Sequence, residues 1–578
     1  MKKKIILLVL LCIATTVSSQ VDTPLTLEAI ESGSITFTNK SWGIVTYRID
    51  NGTAQTIDSD EQKIIDLNKG QKVTLFGDNS SYADGTMYRW TNIRGNAPFY
   101  AYGNVMSLIS STDYATTKTI TSGFAFAHLF EGASTMMSHP TNPLVLPAST
   151  LVDFCYEHMF NGCKAMTRAP ELPATKMTYS CYMGMFASCE NLVEAPELPS
   201  TSLADDCYYN MFYNCLALKT APKLPATILT SRCYEHMFHG CQSLTTAPEL
   251  PATQLEMGCY YAMFADCFSL AAAPELPATT LAPGCYEYMF QNCPITEAPA
   301  LPATTLASEC YEAMFISCPN LKNAPLLPAS SLADNCYNGM FSGCTTLTTV
   351  PVLPATKLAE GCYNGMFGGC TGLTQAPQLP ATEMEKYCYA NMFMGCTNLT
   401  ETPILPSTTL AEECYSGMFW GCEGLTKAHD LPATTLTMGC YRYMFKNCTS
   451  LKASPLLPAP KLVDFCYEQM FDGCSSLSKV VCLITDFNDA WWGLYYWLNK
   501  VSPTGTFVMA KDMESQWPIG GEFGYPSGWN SVEYDPTGIH AIENAQTNSG
   551  KYFDLGGSYT STPHRGLIIH NGKKTIVR

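Results

Sequence analysis

The chain has 578 residues, of which 33 are Lys or Arg and 50 are Asp or Glu, so its formal net charge is −17. This length is too great for one compact hydrophobic core and predicts several domains or a repeat array. The acidic balance excludes nucleic acid as a partner class, because phosphate recognition depends on clustered Lys and Arg.

Residues 1–19 are predicted to be a signal peptide. Lys2, Lys3 and Lys4 form a basic start, an apolar run follows over residues 5–14, and Val17-Ser18-Ser19 provides a cleavage site of small residues. The apolar run is shorter than the ~20 residues that span a bilayer. A lipid anchor on Cys12 is disfavoured, because Leu11 stands where such signals have a small residue. No later segment is a plausible membrane span, which predicts an exported chain, secreted or held at the cell surface in association with the outer membrane.

Residues 20–118 are predicted to form an all-β, sandwich-like domain. Stretches of alternating or continuous apolar residues at 34–38, 43–49 and 72–76 are separated by turn signals such as Asn51-Gly52. Tyr100 and Tyr102 near the end of this region are candidate contacts to a ligand. Packing within the core or against the next domain is the favoured alternative for both rings.

Residues 119–480 contain a repeat, Cys-Tyr-x-x-Met-Phe-x-x-Cys, with a period of 26 residues and one step of 25. A proline-rich stretch, first complete as Ala169-Pro170-Glu171-Leu172-Pro173-Ala174-Thr175, separates successive copies. Such a period predicts a solenoid in which each coil buries its apolar side against its neighbours. A degenerate entry coil over residues 125–133 precedes the thirteen copies, whose first cysteines are Cys155, Cys181, Cys207, Cys233, Cys259, Cys285, Cys310, Cys336, Cys362, Cys388, Cys414, Cys440 and Cys466.

Each coil is predicted to combine a short helix with a short parallel strand. If the first cysteine is position 0, the shared Cys, Tyr, Met, Phe and Cys fall at positions 0, 1, 4, 5 and 8. These positions lie within an arc of about 140° on a helix. The prolines of the connecting stretch forbid helix and weaken a strand, which predicts short parallel strands with proline at their edges.

The repeat resembles the BspA-like leucine-rich repeats of bacterial surface proteins, and it is closest to a cysteine-rich variant found in Bacteroidetes. The resemblance is carried by the alternation of Leu-x-x-Ala/Val-Pro with Phe-x-Gly-Cys-x-x-Leu, and it extends over about residues 123–480. It implies an α/β solenoid and an adhesin-like, non-enzymatic surface protein. Here Cys-Tyr stands where the family usually has Ile-Gly, and Met where it has Ala.

The shared residues are interpreted as a structural ladder in the core. Two ladders of buried free thiols are the favoured state of the cysteines, because two thiols eight residues apart on one helix are too distant to bond. Disulfides stay open as an alternative because the chain is exported, and metal binding is disfavoured because it needs closer ligand spacing. The ladder is represented by Cys155, Tyr156, Met159, Phe160, Cys163, Cys181, Cys189, Cys336 and Cys344.

The C-terminal part is predicted to hold two small units. Residues 481–535 form an aromatic-rich cap, in which Trp491 and Trp492 are candidate ligand contacts with capping of the last coil as the favoured alternative. Residues 536–578 form a β module with a hairpin at Asn571-Gly572. This module resembles the sorting domains of type IX secretion, and a purely structural cap is the alternative.

Catalytic and metal-binding motifs are absent from the sequence, which predicts that the protein is not an enzyme and has no cofactor. His158 and His236 occupy a variable position of the coil, which is typical of a solvated site. A recurrent acidic position is interpreted as a solvated edge in preference to glycosidase carboxylates. It is occupied by Glu171, Glu197, Glu249 and Glu275.

Three functions follow from this organisation. The first is an adhesin-like protein that binds a host or environmental protein or glycan through the solenoid face. The second is a surface scaffold without a specific ligand. The third is a glycan-binding accessory protein that uses the aromatic flanks of the array.

Overall fold

The computed structural model describes residues 22–84 and 89–536, together with the backbone of four short strands further along the chain. The predicted signal peptide and the candidate lipid-anchor residue Cys12 lie outside the described residues. In the N-terminal region the structure has ten strands, which are β1 Thr26–Ala29, β2 Gly33–Thr38, β3 Val45–Ile49, β4 Gln55–Ile57, β5 Gln62–Leu67, β6 Lys72–Gly77, β7 Ala83–Asp84, β8 Arg89–Trp90, β9 Asn92–Gly95 and β10 Phe99–Asn104.

The N-terminal region is all-β, as the sequence predicts, apart from the 3-10 helix Val105–Leu108. Strands β4, β3, β6, β1 and β10 form one antiparallel sheet in that order, and β5, β2 and β9 form a second antiparallel sheet. Buried side chains of both sheets, such as Phe37 and Leu75, belong to one core. Strand β10 then pairs in parallel with β11 Met136–Ser138 and β12 Leu144–Val145, so the first sheet continues into the array.

The prediction of a short helix in each coil is wrong. Among the described residues the structure has no α-helix, and residues 153–162 form consecutive turns instead. In all thirteen coils the residues at positions −1, 3 and 7 have positive φ angles between 47° and 80°. A left-handed residue every fourth position closes a new turn each time, so side chains at positions 0, 4 and 8 return to the same side.

Backbone N–H groups along these turns alternate between two kinds of acceptor. The N–H groups of Tyr156 and Phe160 donate to the carbonyls of Cys181 and Met185 in the next coil, at 3.1 and 2.9 Å. The N–H of Met159 donates instead to the carbonyl of Tyr156, three residues earlier, at 3.2 Å. Later coils repeat this alternation, and within these turns each inter-coil bond runs from the N–H of one coil to a carbonyl of the next coil in the chain.

The proline-rich stretches form isolated parallel bridges in most coils, and they form strands in the entry coil and at the end of the array. Bridges at Arg168↔Glu194 and Lys176↔Ser202 flank one such stretch. The prolines between the bridges have no N–H to donate, which explains why the pairing does not extend into a ladder. Strands replace the bridges after residue 452, where β13 Ala453–Leu457, β14 Lys479–Cys482, β15 Gly505–Met509 and β16 Trp529–Glu533 form a parallel sheet.

We expect Gly339→Ala to lower the stability of the array by about 1 kcal/mol, through backbone strain alone. Gly339 lies at position 3 with a φ angle of 60°, and a Cβ added there would have no heavy atom within 4 Å. Gly339→Asn should lose less, because asparagine tolerates this conformation and Asn391 adopts it at the same position. Thermal unfolding midpoints of the two variants test the prediction, and an unchanged midpoint for Gly339→Ala would contradict it.

The C-terminal segment contributes an antiparallel sheet, of which the structure describes the strand backbones. The strands are β17 Tyr552–Phe553, β18 Tyr559–Thr560, β19 Gly566–His570 and β20 Lys573–Val577. Strands β19 and β20 pair with His570 opposite Lys573, as the predicted hairpin requires.

Candidate functional site

The residues that every coil shares form its core. The Tyr156 and Tyr182 rings stack with centroids 5.7 Å apart, and Phe160 and Phe186 do so at 5.5 Å. A ligand on the surface therefore meets variable residues and not the ladder. At most 1% of each of the following ladder residues is exposed: Cys155, Tyr156, Met159, Phe160, Cys163, Cys181, Cys189, Cys336 and Cys344.

The cysteine thiols make regular hydrogen bonds inside this core. The thiol of Cys189 donates to the carbonyl of Phe160 in the preceding coil at 3.2 Å, and Cys344 does the same to Phe315 at 3.0 Å. Burial raises the pKa of Cys189 to about 12, which keeps the thiol protonated as a donor. All 27 cysteines in the described part of the chain are buried and unpaired.

We expect the mature protein, purified without reductant, to contain 27 reduced thiols that react only after denaturation. The native array should react slowly, because burial both hides the sulfur atoms and disfavours the reactive thiolate. A colorimetric thiol count in denaturant tests this, with a fully reduced sample as the reference. A count that is lower than the reference by an even number of thiols would favour disulfides instead.

The tyrosines of the N-terminal region are packed around a histidine. His139 lies between Tyr100 and Tyr102, with ring centroids 4.8 and 4.9 Å away. Tyr102 is 6% exposed, and its hydroxyl donates to Glu28 at 3.1 Å. Tyr102 is therefore part of the packing between this region and the first coils, and Tyr100 borders it.

The two candidate tryptophans of the C-terminal cap differ in exposure. Trp491 stacks on Phe487 with centroids 4.5 Å apart and packs against the core. Trp492 is 55% exposed, with Tyr495 5.2 Å away. Trp491 thus covers the last coil, and Trp492 is the ring that a ligand can reach.

Two surfaces of the array carry the variable residues. We call the surface at positions 2, 3 and 6 of the coils the turn face, and the surface of the proline-rich stretches the proline face. On the proline face the predicted acidic row Glu171, Glu197, Glu249 and Glu275 is exposed. In later coils the same position carries exposed apolar residues, which the sequence analysis missed: Leu326, Val352 and Ile404, with 77%, 73% and 67% exposed.

A continuous group of rings lies on the turn face between the coils that begin at Cys207 and Cys285. We call it the aromatic surface. The Tyr213 and His239 rings are 5.0 Å apart, and His236 lies 5.1 Å from Tyr261. Tyr288 extends the group, 5.9 Å from Tyr261. In the coils that begin at Cys336 and Cys362, position 3 is occupied by Gly339 and Gly365, so the ring surface does not extend to them.

Carboxyl groups are interleaved with these rings. Glu235, Glu287 and Glu312 all occupy position 2 and are half-buried. Burial, together with the negative charges of Glu312, Glu309 and Glu235, raises the pKa of Glu287 to about 8. Burial likewise raises the pKa values of Glu235 and Glu312 to about 7. This group of carboxyl groups was not predicted from the sequence, although it becomes visible when position 2 is aligned across successive coils.

The coils that begin at Cys440 and Cys466 combine rings and carboxylates with cations of the chain itself. The Arg442 side chain lies 2.8 Å from the Glu468 carboxylate and 4.7 Å from the Tyr443 ring centroid. Lys446 forms an ion pair with Asp472 at 3.2 Å and lies 5.4 Å from the Tyr443 ring. Each of these two cations is therefore paired with a carboxylate of the same chain.

His158 and His236 lie at position 3, and each is only partly exposed. Within residues 22–84 and 89–536, no three histidine, cysteine or acidic side chains are placed to hold a metal ion together. The same residues contain no helix with the length and apolar character to cross a membrane.

The comparisons with known proteins identify the repeat. A family model for the BspA type leucine-rich repeat region matches as six copies over residues 153–293, 234–374 and 367–489, which together are more than half of the chain. No curated protein matches the chain.

Proposed function

Because the chain belongs to the BspA-type leucine-rich-repeat family, we propose that it is a non-enzymatic binding protein, exported or held at the cell surface. In this proposal it is adhesin-like and recognises a host or environmental macromolecule through the surface of its array. The observation that carries the proposal is the separation of fixed and variable residues. The shared Cys, Tyr, Met and Phe are all buried, whereas the positions that differ between coils lie on the turn face and the proline face.

The surface suits an extended partner. Successive coils place equivalent side chains along one direction, and the rings beneath them repeat at 5.7 and 5.8 Å in the central coils. Tyrosine-rich surfaces are frequent centres of protein recognition, because a ring offers contact area at a low entropic cost. The aromatic surface is therefore the first place on the array where we expect a partner to bind.

Export is supported by the sequence alone, through the signal-peptide pattern in residues 1–19 and the sorting-like module in residues 536–578. Deleting residues 540–578 in the native host tests the second element. If the module directs sorting, the truncated protein should accumulate inside the cell envelope. Unchanged surface exposure would show that the module has another role.

Binding of the purified full chain to immobilised mucin and to host matrix proteins tests the recognition proposal. We expect binding that falls at least tenfold in Tyr261→Ser, while Thr345→Ala, an exposed position in a later coil, serves as the matched control. Failure to bind any surface macromolecule would favour the scaffold alternative. Binding of free glycans that is lost in Trp492→Ala would favour the accessory alternative, and hydrolysis of a polysaccharide would contradict every non-enzymatic interpretation.

A further inference from the structure

Two places on the turn face carry a tyrosine and a glutamate at the same pair of coil positions. In the coils that begin at Cys440 and Cys466, Tyr443 at position 3 is followed one coil later by Glu468 at position 2. Its hydroxyl donates to the Glu468 carboxylate at 3.2 Å. Tyr288 and Glu312 occupy these same positions in the coils that begin at Cys285 and Cys310.

The two places differ in what neutralises the carboxylate. At the first, Arg442 at position 2 reaches both Glu468 and the Tyr443 ring, so a cation sits between a ring and an anion. At the second, position 2 carries Glu287 in place of arginine, and position 6 carries Gln291 in place of Lys446. The arrangement that holds a guanidinium in the later coils therefore lacks its cation in the earlier ones.

The surroundings of Glu287 offer no substitute for that cation. The charged groups that act on its carboxyl are Glu312, Glu309 and Glu235, and all three are acidic. Arg232, the basic residue that acts on Glu235, is already paired with Asp206 at 3.0 Å. The other oxygen of that buried aspartate, Oδ1, has no hydrogen-bond partner among the residues that the structure describes.

We propose that Tyr261, Tyr288, Glu287 and Glu312 bind an arginine or lysine side chain presented by a basic segment of a partner protein. The inference rests on the proposed function and specifies the partner chemistry of the aromatic surface. The ring faces attract a cation through their quadrupole, and the carboxylates supply its counter-charge. Half-burial strengthens both interactions relative to a fully exposed acidic patch.

The pH dependence of binding separates this surface from ordinary acidic residues. Glu287, Glu235 and Glu312 have pKa values of about 8, 7 and 7, so they are mostly protonated at pH 6 and mostly ionised at pH 8.5. The surrounding titratable and charged groups are Glu309, Tyr261 and Tyr288, together with Arg232, Asp206 and His236 beside Glu235. The arginine of the partner stays charged over this whole range. Binding of a cation should therefore tighten as the pH rises from 6 to 8.5.

The test uses the full chain and an eight-residue peptide of alternating arginine and glycine, with a peptide of alternating glutamate and glycine as the control probe. We expect the arginine peptide to bind at least tenfold more tightly at pH 8.5 than at pH 6. The variant Glu287→Gln with Glu312→Gln should lose at least tenfold in affinity at pH 8.5. The matched control, Glu249→Gln with Glu275→Gln, removes two charges from the proline face and should change the affinity less than twofold.

A second variant keeps the inference testable if the first one is unstable. Glu287→Arg places a cation at the position that Arg442 occupies in the later coils, so it should abolish peptide binding while the thermal midpoint at pH 8.5 rises. Equal losses from the two glutamine pairs, or an affinity that does not change with pH, would overturn the inference. A chain that binds mucin or matrix protein without competition from the peptide would also overturn it, and would leave the proposed function standing.

Discussion

Phe341→Ala should destabilise the centre of the array by about 3–5 kcal/mol, because it opens a cavity inside a continuous ladder of rings. Phe341 is fully buried, and its ring lies 5.7 Å from the rings of Phe315 and Phe367. One substitution therefore removes two stacking contacts in addition to the buried area of the side chain. Since each coil contacts only its neighbours, the loss should uncouple the coils on either side of residue 341.

Hydrogen exchange and limited proteolysis measure this effect where it occurs. We expect faster exchange and a new cleavage site within residues 330–350, and a thermal transition that separates into two. Thr345→Ala, in the same coil at an exposed position, should leave all three measurements unchanged. Phe341→Leu should lose much less stability than Phe341→Ala, because leucine fills most of the cavity. A single transition at the original midpoint in Phe341→Ala would show that the coils do not depend on the ring ladder.

The coil could be predicted from the sequence as a repeat, but its backbone could not be predicted from apolar spacing. Positions 0, 1, 4, 5 and 8 fit a stripe on a helix, and they fit a four-residue turn equally well over so short a segment. The residues that distinguish a series of turns from a helix are those at positions 3 and 7. Gly184 and Ser188, or Gly339 and Gly343, stand four residues apart where the backbone is left-handed. A glycine at position 3 would cost a helix about 1 kcal/mol, whereas it relieves strain in the turns.

The burial of the shared residues followed from their periodicity, but the position of the candidate site did not. Tyr102 and Trp491 were candidate ligand contacts because they belong to conspicuous aromatic clusters in the sequence, but in the structure both pack against neighbouring elements. The aromatic surface was missed because its neighbouring rings in successive coils are 25 to 27 residues apart and each looks like a random variation within its own coil. Only the stacking of coils makes neighbours of Tyr261 and Tyr288.

The N-terminal region packs against the entry coil, at the start of the array. Since the inter-coil bonds of the turns run from the N–H groups of one coil to the carbonyls of the next, the turn carbonyls of the entry coil have no preceding coil to donate to them. The N–H groups of Tyr82 and Ile93 donate instead to the carbonyls of Ala125 and Leu129, at 3.0 and 2.8 Å. Tyr82 also stacks on Phe126, so the tyrosine ladder begins in this region.

Removing residues 22–104 should therefore leave the array insoluble or unfolded from its first coil. The truncation exposes a row of backbone acceptors and the apolar side of the entry coil, and each buried acceptor left without a donor costs about 1–3 kcal/mol. Soluble yield and the thermal midpoint measure the effect. Removal of residues 537–578 is the matched control and should leave both unchanged.

A smaller change at the same end shows whether the hydrogen bonds matter apart from the missing domain. The side chains of Asn92 and Arg94 donate to the carbonyl of Glu131 at 3.0 and 2.9 Å. Asn92→Ala with Arg94→Ala should speed hydrogen exchange in residues 124–163 and leave the coils after residue 300 unaffected, because the coupling between coils is local. If exchange in the first coils stayed slow in this variant and the truncated chain remained folded, the entry coil would be stable without the N-terminal region.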